Sequence, residues 1–527
     1  MVDGIGPLTL IDLWGWLRRE FADRPFLTFV HAGGAGADGA VHKATYQQFD
    51  DETNRVANLL ASLGVTAGTN VVFQLPSSVD FLHVMFAIIK LGAVAIPVAH
   101  QYTQREVEHI WQRCEPQVAV VAADKAAVTH HLPGLRTLVV AGGTQQTLTS
   151  TPAIVALETR ADYPATTPEV EGITGSSPAM MLFTSGTTAA PKGVVITHAN
   201  CLHAGLYHNW QMAMRPDDRL LTPMPMEHSN FQLAALMPAL TAVAELIVVE
   251  RYSARRFWGQ VRQYQATLLQ AVAMIVRTLL LQPESADDAD HSVRDIQYYL
   301  ALDDDAKEEF ERRFNTRLLN CYGLTETINW VLTDFPVGPR RWPSIGRPGL
   351  GYEARIVDSD GQELPAGEIG EIQIRGERGR TLMLEYYHDP EATKNAFTED
   401  GWFRPHDRGY MDSQGWFYFV GRRNDIIKRA GRNVSALEIE GQLRTHPQVE
   451  DAAVVGVPDV IRDEAIVAFV TPKPGCTLEA ADVTTYIAGR VAEYKVPGEM
   501  HILTEFPRTS TGKIAKRELS HLRLSAP

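Results

Sequence analysis

Cysteine is scarce. Cys114, Cys201, Cys321 and Cys476 are the only four in 527 residues, and they stand far apart. That spacing excludes a disulfide framework and a thiolate metal site, and free thiols in a reducing cytoplasm are the expectation. A long uninterrupted apolar run is also lacking. The most apolar window, residues 79–98, is broken by Asp80, His83 and Lys90 and reads as a buried helix followed by a strand, not a membrane span. Positive charge is in deficit, since 49 Lys and Arg against 63 Asp and Glu leave a net charge of −14. Nucleic acid and anionic membrane are therefore disfavoured as main partners, although a local pocket on an acidic chain can still hold an anion. The opening Met1-Val-Asp-Gly carries no basic segment ahead of an apolar one, so no secretion signal is expected. Internal repeats and low-complexity tracts are absent, and no motif bears on oligomeric state.

What is present centres on residues 183–198, Phe-Thr-Ser-Gly-Thr-Thr-Ala-Ala-Pro-Lys-Gly-Val-Val-Ile-Thr-His. Met180 to Phe183 and Val194 to Ile196 have the look of buried strands. Between them lie hydroxyls, small residues, one glycine and Lys192. Such a loop can bend backbone N–H groups and hydroxyls around a polyanion, with the lysine as a point charge. The alternative is a Ser/Thr/Gly hairpin with nothing bound. It is not a Walker loop, because no Gly-Lys-Ser/Thr follows at the required spacing.

A chain of this length calls for two or more domains. Apolar positions at helical spacing mark helices over residues 8–21, 46–63 and 79–91, and strands are expected at 71–75 and 93–98, with a loop at Gly33–Gly39. Strand, helix, strand in that order is a parallel crossover unit, and the alternation recurs to about residue 320. After Ile345, short strands separated by turns at Gly361, Gly367 and Gly376 suggest a compact antiparallel region. A boundary is expected at 421/422, giving domains 1–421 and 422–527. Beyond it, Ile426–Lys428 and Asn433–Val434 flank Gly431 like a hairpin, and Ser435 with Glu438 forms a capping-box pattern. Strands at 452–457 and 465–471 and a helix at 480–493 follow. Pro507-Arg-Thr-Ser-Thr-Gly-Lys-Ile is a polar turn presenting Lys513.

Five further segments accompany the loop in order. Leu318-Leu-Asn-Cys-Tyr-Gly-Leu-Thr-Glu breaks an apolar strand at Gly323 and exposes a ring, a hydroxyl and a carboxylate. Gly401-Trp-Phe-Arg-Pro-His-Asp-Arg-Gly presents Asp407. Gly421-Arg422, the Gly431 hairpin and Lys513 complete the set. Together these resemble the motifs of the adenylate-forming superfamily: acyl-CoA synthetases, adenylation domains and firefly-type luciferases. Within it, Val249-Glu-Arg-Tyr-Ser-Ala-Arg-Arg-Phe-Trp-Gly-Gln-Val and Arg340-Arg-Trp-Pro-Ser-Ile-Gly-Arg resemble the crotonobetaine/carnitine–CoA ligase branch. The chain is also similar to ligases that activate bulky diterpenoid acids in antibiotic biosynthesis.

The resemblance implies an α/β fold. A large N-terminal domain of parallel-sheet subdomains plus a small β-barrel-like region would precede a small, mobile α+β C-terminal domain turning near Asn424. It implies an ATP- and Mg²⁺-dependent acid–CoA ligase. Such an enzyme gives a carboxylate an AMP leaving group, releases pyrophosphate, and then passes the acyl group to the thiol of coenzyme A. Thr184, Ser185, Gly186, Thr187, Thr188 and Lys192 would hold the departing phosphates, and Glu326 would hold Mg²⁺. Tyr322, Gly323 and Thr325 would meet the nucleotide, with Tyr322 stacked on adenine, while Asp407 and Arg422 would bind the ribose hydroxyls. Lys513 would steady the α-phosphate in the first step, and the Gly431 hairpin would admit the pantetheine arm. His228 would gate the thiol tunnel and contact the carboxylate, with Phe231, Gln232, Ile328 and Trp330 lining the acyl pocket.

Three departures stand out. Ala189 replaces a glycine in the phosphate loop, Pro405-His406 replaces Thr-Gly ahead of Asp407, and Tyr299-Leu-Ala-Leu-Asp replaces Gly-Gly-Ala-Pro. None removes a charge the reaction needs. A rival reading is an adenylating enzyme that loads a carrier protein, and another is a non-catalytic nucleotide-binding homologue, against which Lys192, Glu326, Asp407 and Lys513 argue. For the acid, a quaternary ammonium calls for a cage to which Trp210, Glu227 and Trp330 could contribute. A terpenoid acid calls instead for a wide apolar pocket.

Overall fold

The structure is a computed structural model that describes all residues except 1–7, 34–37, 103, 144–151, 185–191, 300–301, 303, 423–425, 430–431, 460–462, 492, 509–512, 517 and 521–527. The chain divides into two compact units, Met1–Glu353 with Arg375–Phe403, and Ala354–Ile374 with Arg404–Pro527.

In the first unit the apolar runs assemble into two large sheets. One has eight strands, ordered Glu385–Tyr386, Lys192–Thr197, Pro178–Thr184, Val94–Pro97, Asn70–Gln74, Val118–Ala122, Thr137–Ala141 and Ala153–Ala156. Asn70–Gln74 and Val94–Pro97 pair in parallel on either side of the helix Val79–Lys90, which is the expected crossover. That helix is buried all round from Phe81 to Lys90, which is why its sequence lacks a polar face. It has 12 residues, and among the described residues no helix is long and apolar enough to cross a membrane. The other sheet has nine strands, ordered Arg347–Pro348, Leu332–Thr333, Leu318–Tyr322, Asp295–Tyr299, Leu268–Val272, Arg219–Thr222, Glu245–Val249, Pro25–Ala32 and Asp38–Thr45. Its central strands run parallel.

Helix starts are fixed locally. Thr9, Thr45 and Thr197 each cap a helix and exchange reciprocal bonds with Asp12, Gln48 and Asn200. The helix expected over 8–21 runs Leu10–Glu20 and buries Leu10, Trp14 and Leu17, one stripe at helical spacing. All four cysteines are free thiols, three of them buried.

The second unit carries the antiparallel region. Glu353–Val357, Gly370–Arg375, Asp407–Met411 and Phe417–Arg422 neighbour one another in that order, and Asp407–Met411 runs antiparallel to both of its partners. The expected hairpin is present as Ile426–Arg429 paired with Arg432–Ser435, while Gly431 and Asn424 lie outside the described residues. The side chains of Ser435 and Glu438 are likewise not described, but the helix they were expected to open is there, at Ala436–Arg444. Val449–Asp459 and Asp463–Pro472 pair antiparallel, and Glu499–Ile502 adds in parallel. The 421/422 boundary falls inside this unit, at the end of Phe417–Arg422, a strand against which the helix Ala436–Arg444 packs.

Candidate active site

The antiparallel strands Pro178–Thr184 and Lys192–Thr197 bring Thr184 opposite Lys192 at the end of the strand pair. Ser185, Gly186, Thr187, Thr188 and Ala189 lie outside the described residues. Beside Lys192 stands a residue that sequence reasoning did not single out. Tyr386, on the two-residue strand Glu385–Tyr386, pairs with Val194. Lys192 Nζ lies 4.7 Å from the centre of the Tyr386 ring, and the Tyr386 hydroxyl donates to Glu326 Oε1 at 2.9 Å. Burial, and then the Glu326 charge, raise the pKa of this phenol, so it remains a protonated donor. A cation, a phenol and a carboxylate thus stand in series, with Glu326 only 8% exposed.

Glu326 owes its position to a turn that closes on itself. A Cβ at Gly323 would lie 2.2 Å from the Asn329 carbonyl oxygen, so only glycine lets the strand Leu318–Tyr322 break here. The Leu324 N–H donates to Thr327 Oγ1 at 2.8 Å, and that hydroxyl donates back to the Leu324 carbonyl at 2.9 Å. Ile328 then takes φ +63°, a region that a β-branched residue rarely enters. The turn leaves Tyr322 and Thr325 half-buried and sends Ile328 and Trp330 inward.

On the acid side, His228 caps a single helical turn, its Nδ1 accepting from Asn230 N at 3.2 Å, and its ring is exposed. Ser229 Oγ lies 3.2 Å from Thr325 Oγ1, which ties this turn to the Glu326 turn. The Asn230 amide donates to the Tyr299 hydroxyl, and the Tyr299 ring stacks on Trp330 with centroids 4.6 Å apart and planes 26° apart. Phe231 and Gln232 are wholly buried. Gln232 Nε2 donates to the Met226 carbonyl at 3.0 Å, so this amide holds the loop that leads into His228. From Gln232 to Leu236 the helix widens to π geometry, a local expansion often found at functional sites.

The second unit supplies its own pair. Asp407 is 1% exposed and stands directly across the strand pair from Arg422, whose side chain is not described. Just before it, His406 adopts φ +59°, which accounts for a glycine being usual at this place. Here the strained residue is held by Glu371, 3.2 Å from His406 Nδ1, with Arg404 on the other carboxylate oxygen at 3.1 Å. Lys513 is exposed, next to Ile514, which bridges back to Arg508. Of the Tyr299–Asp303 segment, only Tyr299 and Leu302 are described.

Among the described residues no group of three His, Cys, Asp or Glu could form a protein-only metal cage. The Glu326 carboxylate, linked to Lys192 through Tyr386, nevertheless suits Mg²⁺, which takes one or two carboxylates and completes its shell with substrate phosphate oxygens and water. Tyr386 escaped the sequence because its strand is two residues long. The signal available was a tyrosine pair, Tyr386-Tyr387, with no motif around it.

Comparison with known proteins identifies the family. Residues 16–387 match the AMP-binding enzyme family, and residues 438–513 match the AMP-binding enzyme C-terminal domain. The crotonobetaine/carnitine–CoA ligase of Salmonella paratyphi A is 40% identical over 523 residues, covering 98% of this chain and 100% of the relative. The ligase of the same name from Proteus mirabilis is 39% identical over 525 residues, with the same coverage. Among solved structures, ATP-bound MatB from Rhodopseudomonas palustris superposes with a TM-score of 0.85 at 26% identity, covering 98% of this chain and 99% of that one. The anthranilate CoA ligase AuaEII in complex with anthranoyl-AMP gives 0.86 at 25% identity, with complete coverage of both chains.

Proposed function

We propose a carboxylic acid with a bulky apolar body as the substrate of this chain, which belongs to the AMP-binding, adenylate-forming enzyme family and is an ATP-dependent, AMP-forming acid–CoA ligase. The observation that carries the substrate proposal is the Tyr299–Trp330 stack. A quaternary ammonium calls for a cage of open aromatic faces or acidic groups. One face of Trp330 is already covered by Tyr299. Trp210 packs edge-on against Tyr207 and Phe335, and the Arg347 guanidinium lies over that Phe335 ring at 4.6 Å. Burial raises the pKa of Glu227.

In this reading an acid oxygen attacks the α-phosphorus of ATP, the bond to the β-phosphate oxygen breaks, and pyrophosphate leaves. Thr184, residues 185–188 and Lys192 hold the β- and γ-phosphates. Tyr322, Gly323 and Thr325 seat the base, and Asp407 and Arg422 bind the ribose. Glu326, oriented by Tyr386, would hold Mg²⁺, which supplies positive charge against the developing pyrophosphate. His228 contacts the acid carboxylate, and Lys513 stabilises the α-phosphate charge in this half-reaction. In the second, the CoA thiol, having lost its proton, attacks the acyl carbon. A C–S bond forms, and AMP departs, with the Gly431 hairpin serving the pantetheine arm.

A second reading, a carnitine-like acid, is favoured by the 40% identity to ligases of that name. ATP–pyrophosphate exchange with abietic acid, decanoic acid, benzoic acid, L-carnitine and crotonobetaine separates the two. The expected result is at least tenfold higher kcat/KM for a bulky apolar acid than for either betaine. The reverse order would overturn the apolar assignment and leave the reaction class intact.

A further inference from the structure

Beneath the acid side lies a row of polar side chains that the reaction does not use. Thr222, Gln270, Gln297, Gln211 and Thr333 are each completely buried. Gln270 and Gln297 are register partners on the parallel strands Leu268–Val272 and Asp295–Tyr299. Gln211 ends the helix His198–Gln211, and Thr333 sits on Leu332–Thr333. Five elements therefore contribute to one line.

The donors and acceptors of that line fit in a single direction. Thr222 Oγ1 donates to Gln270 Oε1 at 2.7 Å, Gln270 Nε2 donates to Gln297 Oε1 at 2.9 Å, and Gln297 Nε2 donates to Gln211 Oε1 at 2.9 Å. Gln211 Nε2 donates to Thr333 Oγ1 at 2.6 Å, and that hydroxyl donates to the Asp334 carbonyl at 2.9 Å. Turning Gln297 over would set oxygen against oxygen and nitrogen against nitrogen, turning Gln270 over would set its oxygen against Gln297 Oε1, and turning Gln211 over would set its nitrogen against Gln297 Nε2. His208 joins the middle of the row, its Nδ1 lying 2.8 Å from Gln211 Oε1 and 3.2 Å from Gln297 Nε2. Buried polar groups are costly unless every member is satisfied, and a satisfied row fixes its members in one arrangement.

One proton of Gln270 remains for the site. Gln270 Nε2 lies 3.1 Å from the Asn230 carbonyl and 3.2 Å from the Ala234 carbonyl. Asn230 is thereby held twice, by Gln270 at its backbone and by Tyr299 at its side chain, and its N–H in turn holds His228 Nδ1. Ala234 lies in the π-helical widening, whose broader turn leaves carbonyls to be met from outside the helix.

We propose that Gln270 is a positioning residue for the acid site, acting through Asn230 on His228 and on the π-helical segment, with the buried amide row locking its orientation. The proposal rests on the reading of His228 as the residue that meets the acid carboxylate. It predicts a defect much larger for the acid than for ATP, because Lys192 and Glu326 are also held through Tyr386, and the His228 turn meets the Glu326 turn through the Ser229–Thr325 contact alone among the contacts described above.

The test is pyrophosphate exchange with the most active acid of the panel above, measured on wild type, His228→Ala, Gln270→Met, Thr222→Val and Gln211→Met. Gln270→Met keeps the volume and removes the donors to Asn230 and Ala234. It is expected to raise the acid KM at least tenfold while changing the ATP KM less than twofold. Thr222→Val removes the bond that orients Gln270, together with the acceptor that Met224 N meets at 3.1 Å, and a severalfold rise in acid KM alone is expected. This variant decides the matter if Gln270→Met does not fold. Gln211→Met cuts the row beyond Gln297 and should lower the Tm with a smaller change in acid KM. If His228→Ala raises the acid KM while Gln270→Met and Thr222→Val leave it unchanged, or raise acid and ATP KM equally, the positioning role is overturned. If His228→Ala itself leaves the acid KM untouched, the underlying reading of the site fails instead.

Discussion

Tyr386 matters chemically because it serves two charged residues at once. Its ring faces the Lys192 ammonium and its hydroxyl donates to Glu326. Tyr386→Phe keeps the first contact and deletes the second. Removing a donor behind a metal-facing carboxylate typically costs 10–100-fold in metal affinity or activity. The mutant is expected to need about tenfold more Mg²⁺ for half-maximal adenylation, with the Tm nearly unchanged. Equal Mg²⁺ titrations for mutant and wild type would remove Tyr386 from the metal argument. Asp334 is a second residue-scale case, away from the site. Burial raises its pKa from 3.8 to about 6, against the opposing Asn320 N–H and Arg340. A carboxyl that binds its proton more tightly folded than unfolded contributes most below pH 3.8 and loses that contribution as pH rises through 6. Between pH 5 and 7.5 that loss amounts to roughly 1 kcal/mol. Asp334→Asn should therefore gain stability relative to wild type at both pH values, by about 1 kcal/mol more at pH 7.5 than at pH 5, as denaturant unfolding at both would read. A difference independent of pH would show that Asp334 does not titrate in this range.

At the scale of elements, the turn carrying Lys513 is fastened on both sides. Arg508 Nη2 lies 3.3 Å from Asp451 Oδ2, and Lys516 Nζ lies 2.8 Å from Glu440 Oε1. Phe506 and Leu519 are buried in the cluster built from the strands Val449–Asp459 and Asp463–Pro472. Glu440 is only 2% exposed and also accepts from Val454 N at 2.7 Å. Glu440→Gln can keep that backbone bond but loses the charge that Lys516 and Arg444 face. Breaking one side of a buried pair is costly. Faster tryptic cleavage at Lys513 and Lys516 is expected, with adenylation slowed several-fold; unchanged cleavage would mean that the apolar cluster alone holds the turn. Much of this element order was legible in the sequence, because the period of apolar residues is a local signal. The strands around the phosphate loop, the helix 79–91 and the hairpin beyond residue 425 were read that way. Contacts between distant elements were not legible. Tyr386 reaches Glu326 only once its two-residue strand has paired with Val194, and the glutamine row needs five elements in place. Pro405-His406 was visible as a departure, but its partner Glu371 lies on another strand.

At the scale of the whole molecule, Asp407 and Lys513 belong to one compact unit and Lys192 and Glu326 to the other. A reaction in two chemical steps gives such a division a use, since residues needed for one step can be absent from the next. The adenylation step builds negative charge at the α-phosphate, whereas thioester formation only displaces AMP. If Lys513 serves the first step alone, Lys513→Ala should slow acyl-adenylate formation by at least ~10²–10³-fold, the loss typical of one preorganised electrostatic contact. The same mutant, supplied with synthetic acyl-adenylate, should still form acyl-CoA at close to the wild-type rate. The two half-reactions are measured separately, the first by pyrophosphate release in a single turnover and the second by thioester appearance. Glu440→Gln, which only loosens the turn, should fall between wild type and Lys513→Ala in the first half-reaction and match wild type in the second. A Lys513→Ala enzyme impaired equally in both steps would mean that the lysine serves binding common to the two, and one impaired in neither would take Lys513 out of the chemistry.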